Sequence, residues 1–129
     1  MNKKRYPREV LDRFLDQIIE PLGNPEYQER IWVRGEGPEI GSYDEDTMNF
    51  NEDCEKILEK PEDFEGIDEE NIKLLQILYD MIAAFDEHST YLTSEYTTRA
   101  EHKLILSDPK WHEIQNFAKL VYRTLKKRK

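Results

Sequence analysis

The side chains in this sequence able to act as ligands, nucleophiles or acid–base groups are His88, His102, His112, Cys54 and a dense set of carboxylates. The histidines show no H-x-x-x-H spacing and no cysteine pairs with any of them, so a zinc site is not composed; surface or capping roles account for them. The acid pairs Glu36/Glu39 and Asp44/Asp46 have the types needed for general acid–base work or for holding a hard cation. In a region this acidic, however, such pairs arise from composition alone. No Gly-x-Ser-x-Gly elbow, no Cys/His nucleophile pairing, no dinucleotide fingerprint and no phosphate-cradling GxxxxGK[ST] loop occurs. The sequence therefore predicts a non-enzymatic protein with no catalytic residues, no cofactor and no metal.

The charge pattern says more than any motif. The 129 residues carry a formal charge of −9, with 28 acids against 19 bases. Gly35 to Glu70 holds fifteen of the acids and only Lys56 and Lys60, whereas the chain has basic ends: Lys3, Lys4, Arg5, Arg8 and Arg13 at one, Lys119 onward at the other. A negative balance argues against nucleic-acid binding, which relies on neutralising phosphates. It suits a surface that steers a basic protein partner, and it equally suits solvated faces. The single Cys54 falls on an apolar face and reads as a small buried residue in a reducing cytosol. No apolar run of signal-peptide or membrane-span length is present, so a cytoplasmic protein away from membranes is expected. Length and the lack of repeats or a Ser/Gly-rich linker predict one domain over residues 1–129.

The elements that must position these carboxylates are mostly helical. The spacing predicts a central helix over 68–85, capped by Asp68, with Ile72, Leu75, Tyr79, Ile82 and Phe85 in one stripe and Leu74, Leu78 and Met81 in a second. Pro7 opens a first helix whose apolar face is Val10, Leu11, Phe14, Leu15, Ile18 and Ile19; Pro21, Gly23 and Pro25 end it. Ile31 and Val33 alternate with Arg30, Trp32 and Arg34, which predicts a short strand near 29–35, paired with 89–93 or with a second molecule. Gly35 to Gly41 must be a shaped loop. Ser42-Tyr43-Asp44-Glu45 matches a capping box, opening a helix that carries Tyr43, Thr47, Phe50, Cys54, Ile57 and Leu58 inward and is weakened near Asn51. Residues 61–66 turn, with Phe64 and Ile67 as anchors. Residues 94–106 allow a polar helix, and Asp108-Pro109 opens a last helix with Trp111, Ile114, Phe117, Ala118, Val121, Tyr122 and Leu125 on one face. The fold class is thus mainly α, a small bundle around a buried central helix with a short β element near 29–35, or α+β if that element is a paired strand.

The loop and the helix start after it place Glu36, Glu39, Asp44, Glu45 and Asp46 on one ridge, with Trp32 and Tyr43 as aromatic anchors for a partner. Trp32 reads equally as core. The run W-x-x-G-E-G-P-E from Trp32 to Glu39, with Ser42 to Glu45 and Phe50, resembles small bacterial immunity proteins of contact-dependent growth inhibition and related polymorphic toxin systems. So does the closing D-P-x-W helix start, with Ala118-Lys119 and Val121-Tyr122, and in layout the likeness runs from Tyr6 to Lys126. The resemblance implies a cytoplasmic protein that binds the C-terminal domain of a cognate toxin, often a nuclease, and blocks it. Two other readings stand beside it: an acidic, nucleic-acid-mimicking inhibitor or adaptor of another system, and a small hydrolase or metal-dependent enzyme whose activity would be lost on substitution of Glu39 or Asp44. The oligomeric state is open.

Overall fold

The computed structural model describes residues 5–93 and 95–127. The expectations that fell on Lys3, Lys4, Ser94, Arg128 and Lys129 lie outside the described residues. Among the described residues the regular structure is all helical. Helix α1 (residues 8–22) runs as Arg8–Phe14, a π-helical turn Leu15–Ile19, and Glu20–Leu22. Helix α2 (residues 25–33) begins as Pro25–Tyr27 and widens into a π-helical segment Gln28–Val33. Helix α3 spans Tyr43–Glu59, α4 Glu69–His88, α5 Arg99–Ser107 and α6 Pro109–Lys126, with a 3-10 turn at Pro61–Asp63.

Local chemistry sets most of the helix starts. Asp68 accepts the Asn71 N–H while the Asn71 side chain reaches back to the Asp68 N–H. Thr98 and Glu101 make the same reciprocal box on α5. Asp108 accepts the Lys110 N–H and Pro109 takes the first position of α6, where a missing N–H costs nothing. Ser42 accepts from the Glu45 N–H, which is half of the expected box. Helix α3 continues without a break through Asn49 and Asn51, because Phe50, Cys54 and Ile57 are driven inward along its whole length.

Two expectations are corrected. The segment near 29–35 is not a strand, and 89–93 does not pair with it. Its backbone bonds close internally in wide turns, with the Arg34 N–H reaching Glu29 O at 3.1 Å. The alternation that suggested a strand is absent in three dimensions: Ile31, Trp32 and Val33 are all buried, and burial overrides the weak β preference of Ile and Val. Pro21 also does not end α1. The π turn before it has shifted the bonding register, with the Glu20 N–H reaching Leu15 O, and the helix ends at Gly23. Among the described residues the one β contact is an isolated parallel bridge, where Tyr6 is strapped across 63–65 by bonds of 2.7 and 3.1 Å.

The core is one cluster drawn from every helix. Helix α4 buries Leu75, Leu78, Ile82 and Phe85 against α3 and α6, and leaves Ile77 in solvent. The middle of the bundle is shared with α6, where Trp111, Ala118, Val121 and Leu125 are completely buried. Around Trp111 gather Trp32, Tyr43 and Phe85, at ring separations of 5.8, 5.6 and 5.2 Å. Such tilted aromatic contacts add to area burial. Cys54 is buried too, its thiol pushed up to about 12 by burial, which leaves it a packing residue.

One buried polar side chain ties these layers together. Gln28 is fully enclosed. Its Nε2 donates to the Pro21 and Leu22 carbonyls at 2.9 Å each, satisfying the last turn of α1. Its Oε1 accepts from Trp111 Nε1 at 2.9 Å and Gln115 Nε2 at 2.7 Å on α6. Both donors and both lone pairs of the amide are used. Replacing Gln28 by leucine strands two donors and leaves two carbonyls without their inward partner. We expect a loss of about 3 kcal/mol or more in urea unfolding, at unchanged m. A loss under about 1 kcal/mol would mean that water or repacking replaces the amide.

Candidate partner-binding surface

The ridge expected from the sequence begins where α2 ends. Trp32 and Tyr43 are not exposed anchors, and this corrects the first expectation. They retain only 4% and 2% of their surface. Trp32 lies between Tyr43, His102 and Trp111, and its indole Nε1 donates to Asp46 Oδ2 at 2.8 Å. Tyr27 donates its hydroxyl to the same oxygen at 2.9 Å. Gly41 makes this approach possible, since a Cβ there would stand 2.1 Å from the Tyr27 hydroxyl. Burial raises the Asp46 carboxyl above its usual range, opposed by the two donated hydrogen bonds. Asp46 is therefore an internal acceptor that fixes α2 against α3.

The loop acids are also held internally. Glu39 forms a two-bond fork with Arg30, 2.8 Å to Nη1 and 3.1 Å to Nη2, and Arg30 reaches Glu26 at 3.2 Å. That hydrogen bonding keeps the Glu39 carboxyl below its ordinary range. Glu36 pairs with Arg34 at 3.2 Å. Gly37, at φ +117°, lets the backbone pass the Arg30–Glu39 pair, where a Cβ would meet Arg30 Nη1 at 2.4 Å. These exposed pairs close the loop and add little stability each. The W-x-x-G-E-G-P-E run is thus a loop clasp built on α2. Asp44 binds Thr97, taking its N–H at 2.7 Å and its hydroxyl at 2.8 Å, which pins the 95–98 segment to the first turn of α3. Of the seven residues expected on the ridge, Glu45 alone is exposed with its carboxylate uncommitted.

The acids without cations lie one step further along. Helix α3 carries Asp44, Glu45, Asp46, Glu52, Asp53, Glu55 and Glu59 against Lys56; α4 carries Glu69, Glu70, Asp80, Asp86 and Glu87 against Lys73. None of these carboxylates forms an ion pair among the described residues, where the pairs found are Arg8–Asp12, Arg30 with Glu26 and Glu39, Arg34–Glu36 and Lys126–Asp16. The start of α3 and the end of α4 lie side by side, joined by the Tyr43 hydroxyl donating to Asp86 Oδ1 at 2.9 Å. Between them is an open cleft of about 390 Å³, walled by Asp44, Thr47, Met48, Asn51, Asp86 and Glu87 among others. Met48 is 52% exposed beside it. Sequence reasoning missed Met48, Asp86 and Glu87. A signal existed: Asp86 and Glu87 close α4 with negative charge, against the helix dipole.

No group of three or more His, Cys, Asp or Glu able to hold a metal ion occurs among the described residues. No helix among them is long and apolar enough to cross a membrane.

His102 underlies this surface. It is 4% exposed, and its Nε2 accepts the Tyr43 N–H at 3.0 Å, capping the start of α3. The neutral ring must then carry its proton on Nδ1, which is buried without a partner. Burial lowers its pKa below 6.5, outweighing the pull of Asp44 and Glu101. The folded state therefore binds fewer protons than the unfolded chain as pH drops through 6.5. Stability contributed by neutral His102 is complete above that pH and declines below it, by up to about 1.4 kcal/mol per pH unit. His102→Gln, whose amide oxygen can accept the same N–H, should lack this decline, so unfolding free energies of the two proteins should diverge between pH 7 and pH 5. Parallel curves would show that His102 titrates normally. Comparison with family models, curated proteins and solved structures finds no match to this chain.

Proposed function

We propose that this chain is an immunity-type inhibitor that binds a basic, cognate toxin domain, of nuclease class, and blocks it by occupancy rather than catalysis, in the cytoplasm. The observation that carries this reading is the set of carboxylates on α3 and α4, none of which forms an ion pair among the described residues. An enzyme that acts on an anionic polymer needs a positive groove, and a rigid negative face is the complement of that groove. Opposite potentials accelerate encounter and select the partner. The helices hold the carboxylates at fixed spacing, so little conformational freedom is lost on docking.

The test is co-expression with the toxin domain encoded immediately upstream. Growth should be restored, and the two proteins should elute as one complex. Their association rate should fall about tenfold or more between low and physiological salt, as expected for steered encounter. Unrelieved growth arrest with no complex would end this reading.

A further inference from the structure

We infer that the cleft between the start of α3 and the end of α4 is the seat for a basic, amphipathic segment of a protein partner, which places an arginine or lysine between Asp86 and Glu87 and an apolar side chain on Met48. The inference deepens the proposed function by naming the contact chemistry, and it rests on that reading only for the partner's identity.

The cleft differs in one respect from four other crevices formed by the described residues. Each of the others carries a lysine or arginine in its wall: Arg13, Lys56 and Lys60 in one, Lys110 in the next, then Lys119 with Arg123, and Lys73. This one carries Asp44, Asp86 and Glu87 and no base. Its carboxylates are pre-set. Asp44 is locked by Thr97, and Asp86 is held through Oδ1 by the Tyr43 hydroxyl, leaving Oδ2 for an incoming donor. The site is therefore rich in acceptors and lacks a cation, and a guanidinium or ammonium group supplies what is missing. Met48 supplies apolar area at the rim, on a side chain able to adapt to its partner. An anionic lipid surface or a nucleic acid would be repelled by the same carboxylates, so charge complementarity selects a basic protein segment.

The experiment uses the full chain and a synthetic helical peptide of lysines and leucines in amphipathic order as the probe. Amide shifts in a heteronuclear titration should move in Tyr43–Asn51, Ile82–Glu87 and around Thr97, and stay still elsewhere. Glu87→Lys in the cleft wall with Glu45→Lys on the adjoining first turn of α3, both exposed side chains without a side-chain hydrogen bond among the described residues, should weaken binding about tenfold. Glu59→Lys with Glu62→Lys makes the same change in net charge away from the cleft and should weaken it less than twofold. Equal weakening by the two pairs, or shifts spread over the whole acidic face, would overturn the inference. The same variants separate it from the broader function. A toxin complex insensitive to the cleft pair leaves the inhibitor reading standing and removes the cleft. A probe seated in the cleft with no toxin neutralised leaves the cleft standing and removes the inhibitor.

Discussion

The fold depends on one primary amide. Gln28 sits where the end of α1, the body of α2 and the first turns of α6 converge, and every hydrogen-bonding position of its side chain is filled. Only one orientation works. Reversed, its NH₂ would face the Trp111 and Gln115 donors while its oxygen faced two carbonyls. A buried polar group of this kind specifies geometry as well as stability, because partial satisfaction costs more than none. It fixes Trp111, and Trp111 in turn fixes the positions of Trp32, Tyr43 and Phe85.

From that aromatic cluster the order passes outward to the acidic surface. Trp32 and Tyr27 hold Asp46, Tyr43 holds Asp86, and His102 caps the Tyr43 N–H. Three of the carboxylates near the start of α3 are thus acceptors for neutral donors from within the fold. Hydrogen bonds from a hydroxyl, an indole or a backbone amide orient a carboxylate without neutralising it. Ion pairs do neutralise, and in this region they are confined to the loop, where Arg30 and Arg34 meet Glu39 and Glu36. The molecule therefore keeps its negative charge on the α3 and α4 face while losing it on the loop that the sequence had made the centre of attention.

How much of this was legible in the sequence follows from the range of each interaction. Asp68, Thr98 and Asp108 act on N–H groups two or three residues away, and Asp68 and Asp108-Pro109 announced their helices directly. The inward faces of α1, α3 and α6 followed from helical spacing alone. Trp32 did not, because the acceptor for its indole, Asp46, is fourteen residues on and the helix that buries it has a start that is easily read as a break. Pro25 reads as a helix breaker, although with the capping side chain of Asn24 before it the same proline also opens a helix; Asn24 does accept the Tyr27 N–H. Seen as a helix start, it would have placed Tyr27, Gln28, Ile31 and Trp32 on one inward face. The GEGPE loop carried the most distinctive letters in the chain, yet those letters encode a clasp.

The unpaired carboxylates are the feature that folding does not explain. Like charges at close range on adjoining helices destabilise the free protein, and acids at the C-terminal end of α4 add to that cost through the helix dipole. A surface under no other demand would intersperse lysines, as it does elsewhere in this chain: Arg8 beside Asp12, Lys126 beside Asp16. Under the proposed function, a positive surface brought against it would relieve the same repulsion, and that relief would count toward association. Asp86 and Glu87 both oppose the dipole of α4; Asp86 is offset by the Tyr43 hydroxyl it accepts, whereas Glu87 has no such partner and would gain from the proposed basic partner. That asymmetry, rather than the number of acids, is what the proposed docking role would explain and a merely solvated face would not.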